Sequence, residues 1–199
     1  SGQNTVDASL NVSWSSRYDD RIGMLPDGSI GVLHVDSASN QVTLSKWAAV
    51  DGTTSGNQYG PLFSGSVVVP GISSSSSIDS VTLRPDGAVA IAFHATTGAP
   101  GTGGGNATSQ FNEQIALLRY DPVQQVGSSH VWLDGSFGNA GIFTFNGSAV
   151  GDGSDATYGA RVSALADNSL LLTSPSGNTI VHITSSGNLD TAFGGGDGV

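Results

Sequence analysis

Arg21-Ile-Gly-Met-Leu-Pro-Asp-Gly-Ser-Ile-Gly-Val-Leu33, Ser80-Val-Thr-Leu-Arg-Pro-Asp-Gly-Ala-Val-Ala-Ile-Ala92 and Arg161-Val-Ser-Ala-Leu-Ala-Asp-Asn-Ser-Leu-Leu-Leu-Thr173 are three versions of one pattern. In each, a short apolar-rich segment runs into Asp27-Gly28, Asp86-Gly87 or Asp167-Asn168, and a second apolar segment follows at once. Asp-Gly supplies the positive φ angles of a tight type I′ turn and Asn tolerates them, so each stretch predicts a β-hairpin closed by a two-residue turn. Internal repetition of this kind predicts a repeat architecture, because one hairpin cannot bury its own apolar face.

A second shared element follows each hairpin. Val42 to Trp47, Ile115 to Tyr120 and Ile180 to Ile183 are apolar strands containing a basic residue, which aligns Lys46, Arg119 and His182 and places Trp47 level with Tyr120. Leu133-Asp-Gly-Ser-Phe137-Gly138 and Leu189-Asp-Thr-Ala-Phe193-Gly194 come next, with only Pro61-Leu62-Phe63 in the first unit. Ile142-Phe-Thr-Phe145 then reads as a further strand, whereas the third unit stops at Val199. About four antiparallel strands per unit is the content of one propeller blade.

The expected fold is therefore all-β and β-propeller-like, an incomplete propeller of three blades of about four antiparallel strands. Residues 1–17 form an N-terminal strand or extension, 18–72 the first blade-like repeat and 73–155 the second, with Gly-rich insertions. Residues 156–199 form the third, its last strand truncated. Thr97 to Asn112 and Pro122 to His130 lack hydrophobic period and read as surface loops, and the serines from Ser73 to Ser77 read as a connector. A β-sandwich with incidental likeness among its hairpins is the alternative. A propeller takes four to eight blades, so three imply a stretch of a longer one or a subunit completed by a neighbour through strand addition.

The sequence LRPDGAVAIAF, then IALLRYDP, then WLDGSFGNAGIFTF, and finally ITSSGNLDTAFGGGDGV, resembles the delta-60 repeat, a β-propeller repeat of bacterial secreted and surface proteins. The resemblance spans roughly residues 18–199. It implies the fold and a surface or secreted setting, and it carries over no catalytic residue.

Composition points the same way. The 199 residues include 29 Gly and 30 Ser but one Lys and one Glu, and charged residues are 11%, against roughly 25% in an average domain. Lys and Glu are strong helix formers, so their near absence argues against a helical bundle. With no Cys there is neither a disulfide framework nor a thiolate zinc site. A net charge of −10 argues against nucleic acid and anionic membrane surfaces as partners, and the longest apolar run falls far short of a membrane span. An Asp-, Ser-, Thr- and Gly-rich chain poor in Lys suits an extracellular or bacterial cell-surface protein. Ser1 to Ser9 carries no signal-peptide pattern, so a leader has been removed or the chain begins inside a longer one. Sequons stand at Asn11, Asn106 and Asn146.

Candidate chemistry is sparse. His34, His94, His130 and His182 are read mainly as blade residues bonded to neighbouring strands, since no paired-ligand spacing is present. Gly151-Asp152-Gly153-Ser154-Asp155 places carboxylates in a Gly-rich loop, a pattern that can wrap Ca²⁺, which makes Asp152 and Asp155 the metal candidates; as ordinary turn residues they need no metal. Gly-x-Ser-x-Gly and the sialidase Asp box are both absent. Fifteen Asp make a glycosidase-type carboxylate pair available by number alone. Trp132, beside the long loop of the second unit, is the candidate for contact with a protein or glycan ligand. The expected function is a non-catalytic, extracellular structural or adhesive module that scaffolds or binds. A self-assembling surface filament or layer subunit and a secreted carbohydrate-active hydrolase are the alternatives.

Overall fold

The computed structural model describes residues 20–25, 29–36, 39–47, 63–72, 77–94, 112–121, 129–146, 160–174 and 177–199. These form twelve strands in three antiparallel sheets, with no helix among the described residues. The first sheet runs β1 (Asp20–Met24), β2 (Ile30–Asp36), β3 (Gln41–Trp47) and β4 (Phe63–Val68) in chain order. The second holds β5 (Ser77–Leu83), β6 (Val89–His94), β7 (Asn112–Tyr120), β8 (Val131–Leu133) and β9 (Ile142–Asn146). The third holds β10 (Arg161–Ala164), β11 (Leu170–Thr173) and β12 (Ile180–Ile183).

The second sheet has five strands where four were expected, but only four positions. β8 pairs with the end of β7, Leu118 to Tyr120, while β9 pairs with its beginning, Asn112 to Ala116. Together they make one strand, interrupted by the turn from Asp134 to Gly141. That turn stays tied to β7 at the break, because Asp134 N–H donates to the Leu117 carbonyl and Leu117 N–H to that of Gly141.

The hairpin turns differ from expectation in type. Arg84 N–H donates to Ala88 C=O and Gly87 N–H to Arg84 C=O, with Leu165, Ser169 and Asn168 repeating the pattern. Gly87 and Asn168 have φ of 84° and 68°, and neither Asp86 nor Asp167 has positive φ. This is the three-residue loop with one left-handed residue, not the two-residue type I′ turn. In the second hairpin Pro85 favours this turn, because a two-residue loop would need the N–H that proline lacks to bond Ala88; Ala166 stands at the same place in the third hairpin, and the same turn forms there. Asp27-Gly28 of the first hairpin lies outside the described residues.

Registers relate the three sheets position for position over their second and third strands. Ile30, Val89 and Leu170 open the second strand of each and face Trp47, Leu118 and Ile183 on the third. Lys46, Leu117 and His182 are therefore equivalent, and the sequence alignment of Arg119 with His182 is two residues out of register; Arg119 corresponds to Thr184. Trp47 likewise corresponds to Leu118, not to Tyr120.

Strand alternation then explains the packing. Leu33, Val35, Val42 and Leu44 of the first sheet form one core with Val89, Ile91, Phe93, Ala116 and Leu118 of the second. Ala88, Ala90, Ala92, Ile115 and Leu117, on the opposite side of the second sheet, form another core with Val162, Leu170, Leu172, Val181 and Ile183 of the third. Each sheet thus turns a back face to the sheet after it and a front face to the sheet before it. The near-continuous apolar run of β6 follows from this, because a strand buried on both sides has no reason to alternate. His34 and Phe93 occupy equivalent places on front faces; Phe93 is fully buried beneath the first sheet, and His34 is exposed.

Candidate functional site

Polar chemistry gathers where the hairpin turns of the second and third sheets stack. Arg84, buried beneath this junction, donates to Ser185 C=O at 3.1 Å and to Asp86 Oδ2. Asp86 N–H donates to Asn168 Oδ1, and Gly138 N–H to Ser186 C=O. The second and third units each carry a side-chain clamp here. In the second, Arg119 donates from Nε to Asp134 Oδ2 at 2.8 Å and from its terminal nitrogen to Asp86 Oδ2 at 2.7 Å. One guanidinium thereby joins the hairpin turn to the Leu-Asp-x-x-Phe-Gly turn. Partial burial disfavours ionisation of Asp134, but hydrogen bonds from Ser136 and Arg119 outweigh it and hold the carboxyl below its ordinary range.

In the third unit His182 does the same work from one same-face position earlier on the strand. Its Nδ1 lies 2.7 Å from Asp190 Oδ2 and its Nε2 lies 3.0 Å from Ser169 Oγ. Ser169 Oγ in turn donates to Asp167 Oδ1 at 2.6 Å. Asp–His–Ser in this order has the connectivity of a hydrolytic triad, yet the details oppose it. Ser169 is buried, 2% exposed, so its hydroxyl has no route to a substrate carbonyl. The Ser169 proton is committed to Asp167 and is not offered to His182 as that of a triad serine would be. In the second unit Ala88 stands where Ser169 stands, and a clamp forms without a hydroxyl.

Asp167 is held below the ordinary carboxylate range by the side chain and backbone of Ser169, and Asp190 by the Ala192 N–H and then His182. A carboxyl whose folded pKa is depressed stabilises the fold above its unfolded value, about 3.9, and that contribution disappears as pH falls below it. Thermal unfolding between pH 6 and pH 3 is expected to show a loss of stability beginning near pH 4, smaller in Asp190→Asn.

A second polar site is buried in the sheet, and it was not among the candidates. Glu113, the only glutamate, is 2% exposed on the back face of β7. It hydrogen-bonds Asp79, the extra residue at the register shift between Ile78 and Ser80. Burial, then the Asp79 charge, then their shared hydrogen bond push Glu113 up to about 9, so it is a neutral acid donating to the Asp79 carboxylate at physiological pH. The signal in the sequence was the parity of Glu113 with Ile115 and Leu117: a lone glutamate on the apolar side of a strand.

Of the residues singled out, Trp132 lies half-buried on β8, opposite Arg119 in register. His130 Nδ1 lies 3.0 Å from the Asp121 carbonyl oxygen, and His34 is exposed. Asp152 and Asp155 lie outside the described residues, as does the side chain of His94. Among the described residues no three His, Asp or Glu side chains converge as metal ligands, and no helix is long and apolar enough to cross a membrane. Compared with protein-family models, curated proteins and solved structures, the chain gives no match.

Proposed function

We propose that this chain is a non-catalytic structural or adhesive module of propeller blades of the delta-60 kind, acting outside the cell as a scaffold or binder. One observation carries the reading: the side chains that look reactive are committed to holding turns together. The matching registers of the second and third strands and the constant front-to-back order of the sheets support the blade interpretation. Low Lys, absent Cys and an acidic balance support an extracellular setting. Trp132, half-exposed on the edge strand beside the Arg119–Asp134 pair, is the side chain we assign to ligand contact.

The Asp190–His182–Ser169 chain favours a second reading, a hydrolase, and the two are separable. Ser169→Ala installs the residue of the second unit at position 88. It is expected to remain folded, with stability changed by about 1 kcal/mol or less. His182→Leu installs the residue of position 117 and leaves Asp190 without its ring partner, for an expected loss of about 1 kcal/mol. Neither is expected to alter hydrolysis of p-nitrophenyl acetate or p-nitrophenyl glycosides relative to buffer. Turnover by the wild-type chain that Ser169→Ala abolishes would overturn the proposal.

A further inference from the structure

Among the described residues, no further sheet covers the front of the first sheet or the back of the third, whereas the same two kinds of face meet at both internal joints. Equivalent positions show what an internal joint covers. Ile115 and Phe137 are 0% and 1% exposed on the back of the second sheet, where the third sheet covers them. Their counterparts in the third sheet, Ile180 and Phe193, are 42% and 36% exposed. Val68, 54% exposed, lies on the front of the first sheet. These three are the exposed large hydrophobic side chains of the described residues, and all three sit on the terminal faces.

Polar contacts follow the same logic. Arg21, Ser80 and Arg161 are equivalent, paired with Leu33, Ala92 and Thr173. Across the first joint, Arg21 reaches over to donate to the Ile78 carbonyl at 2.6 Å. Across the second, Ser80 Oγ accepts from Val162 N–H at 2.7 Å. Arg161 holds this joint-crossing position on the open back face and is exposed. On the front of the first sheet Val68 is exposed, and Ile30, Val32 and Trp47 are partly buried. Beside them the hydroxyls of Thr43 and Ser66, and of Ser45 and Ser64, hydrogen-bond each other, so covering each pair leaves one hydroxyl hydrogen to be satisfied.

We propose that the back face of the third sheet, around Arg161, Ile180 and Phe193, receives the front face of the first sheet of a second copy of this chain. The contact is heterologous, the same back-to-front joint used internally, so repetition gives a closed ring or an open filament depending on the rotation per copy. It differs from strand addition, in which backbone edges pair. The front of the first sheet is more polar than that of the second, so this joint is weaker than the internal ones and reversible.

The inference rests on the blade reading but is tested apart from it. Val68→Lys blocks the front face, and Arg161→Glu with Ile180→Lys blocks the back. All three positions are at the surface, and circular dichroism checks that each variant keeps its sheet content. By light scattering, the wild-type mass is expected to rise with concentration above the 20.0 kDa monomer. Each blocked chain alone stays monomeric, while an equimolar mixture of the two reaches twice the monomer mass and stops, since each retains one half of the joint. A wild type that is monomeric throughout the micromolar range would overturn the proposal and leave these faces to further sheets of a longer polypeptide. Assembly that survives both sets of substitutions would also overturn it, in favour of pairing at a sheet edge. Neither result would touch the conclusion that Ser169 and His182 are structural.

Discussion

Glu113→Gln is expected to stabilise the protein, and to do so more at higher pH. Between the unfolded value of 4.5 and the folded value of about 9, the native state keeps a proton that the unfolded chain releases. The native state binding more protons means that stability falls as pH rises through this window. The slope approaches about 1.4 kcal/mol per pH unit for a fully developed shift. Glutamine keeps an N–H donor for Asp79 without needing a proton from solvent, so the slope disappears. The expected gain is about 1–3 kcal/mol at pH 7.5, with little change at pH 5. Urea unfolding of both proteins at the two pH values measures it directly. Equal stability at pH 7.5, or equal pH slopes, would show that Glu113 is ionised in the fold.

Gly187→Ala is expected to cause a large loss of stability. Gly187 has φ of 78°, and a Cβ there would meet the backbone nitrogen of Gly138 and the Phe137 ring. Both neighbours belong to the turn that closes the junction between the second and third sheets, where Gly138 N–H donates to Ser186 C=O. Backbone cannot yield as a flexible side chain would, so a methyl group must separate the turns. Gly177 is the matched control: φ is 75°, and a Cβ would meet nothing within 4 Å. Gly177→Ala is expected to cost about 1 kcal/mol, the conformational penalty alone. Gly187→Ala is expected to cost about 3 kcal/mol or more, roughly 10 °C in Tm for a chain of this length. Similar losses at the two positions would mean that the junction does not close as described.

The hairpins were legible because Asp-Gly and Asp-Asn are local signals, and three copies of a local signal reinforce one another. Their turn type was not: Asp86-Gly87 points to a two-residue loop, whereas Pro85 lacks the N–H that would close one. The clamp was half legible. Arg119 and His182 were noticed as basic residues after equivalent strands, but hydrogen-bond register, not spacing, decides which positions correspond. The bulge that brings Asp79 to Glu113 left no composition signal, since an inserted residue in a strand reads like any other. Candidate ligands were the least legible feature. Trp132 and the Asp152–Asp155 loop were chosen by residue type, and residue type does not say which side chains share a face.

The apolar character of both faces of the middle sheet has a consequence for how the chain assembles. Nearly all pairings are between consecutive strands, so each sheet can zip up through short-range contacts with little loop-closure entropy to overcome. The outer sheets gain a wettable side as soon as they form. The middle one does not: before docking it presents Val89, Ile91 and Phe93 on one side and Ile115 and Leu117 on the other. Its strands are therefore the adhesive species during refolding, and dilution should improve recovery more than slower removal of denaturant. Slow steps should report docking of finished sheets, and amide protection in β6 and β7 should then outlast that of every other strand.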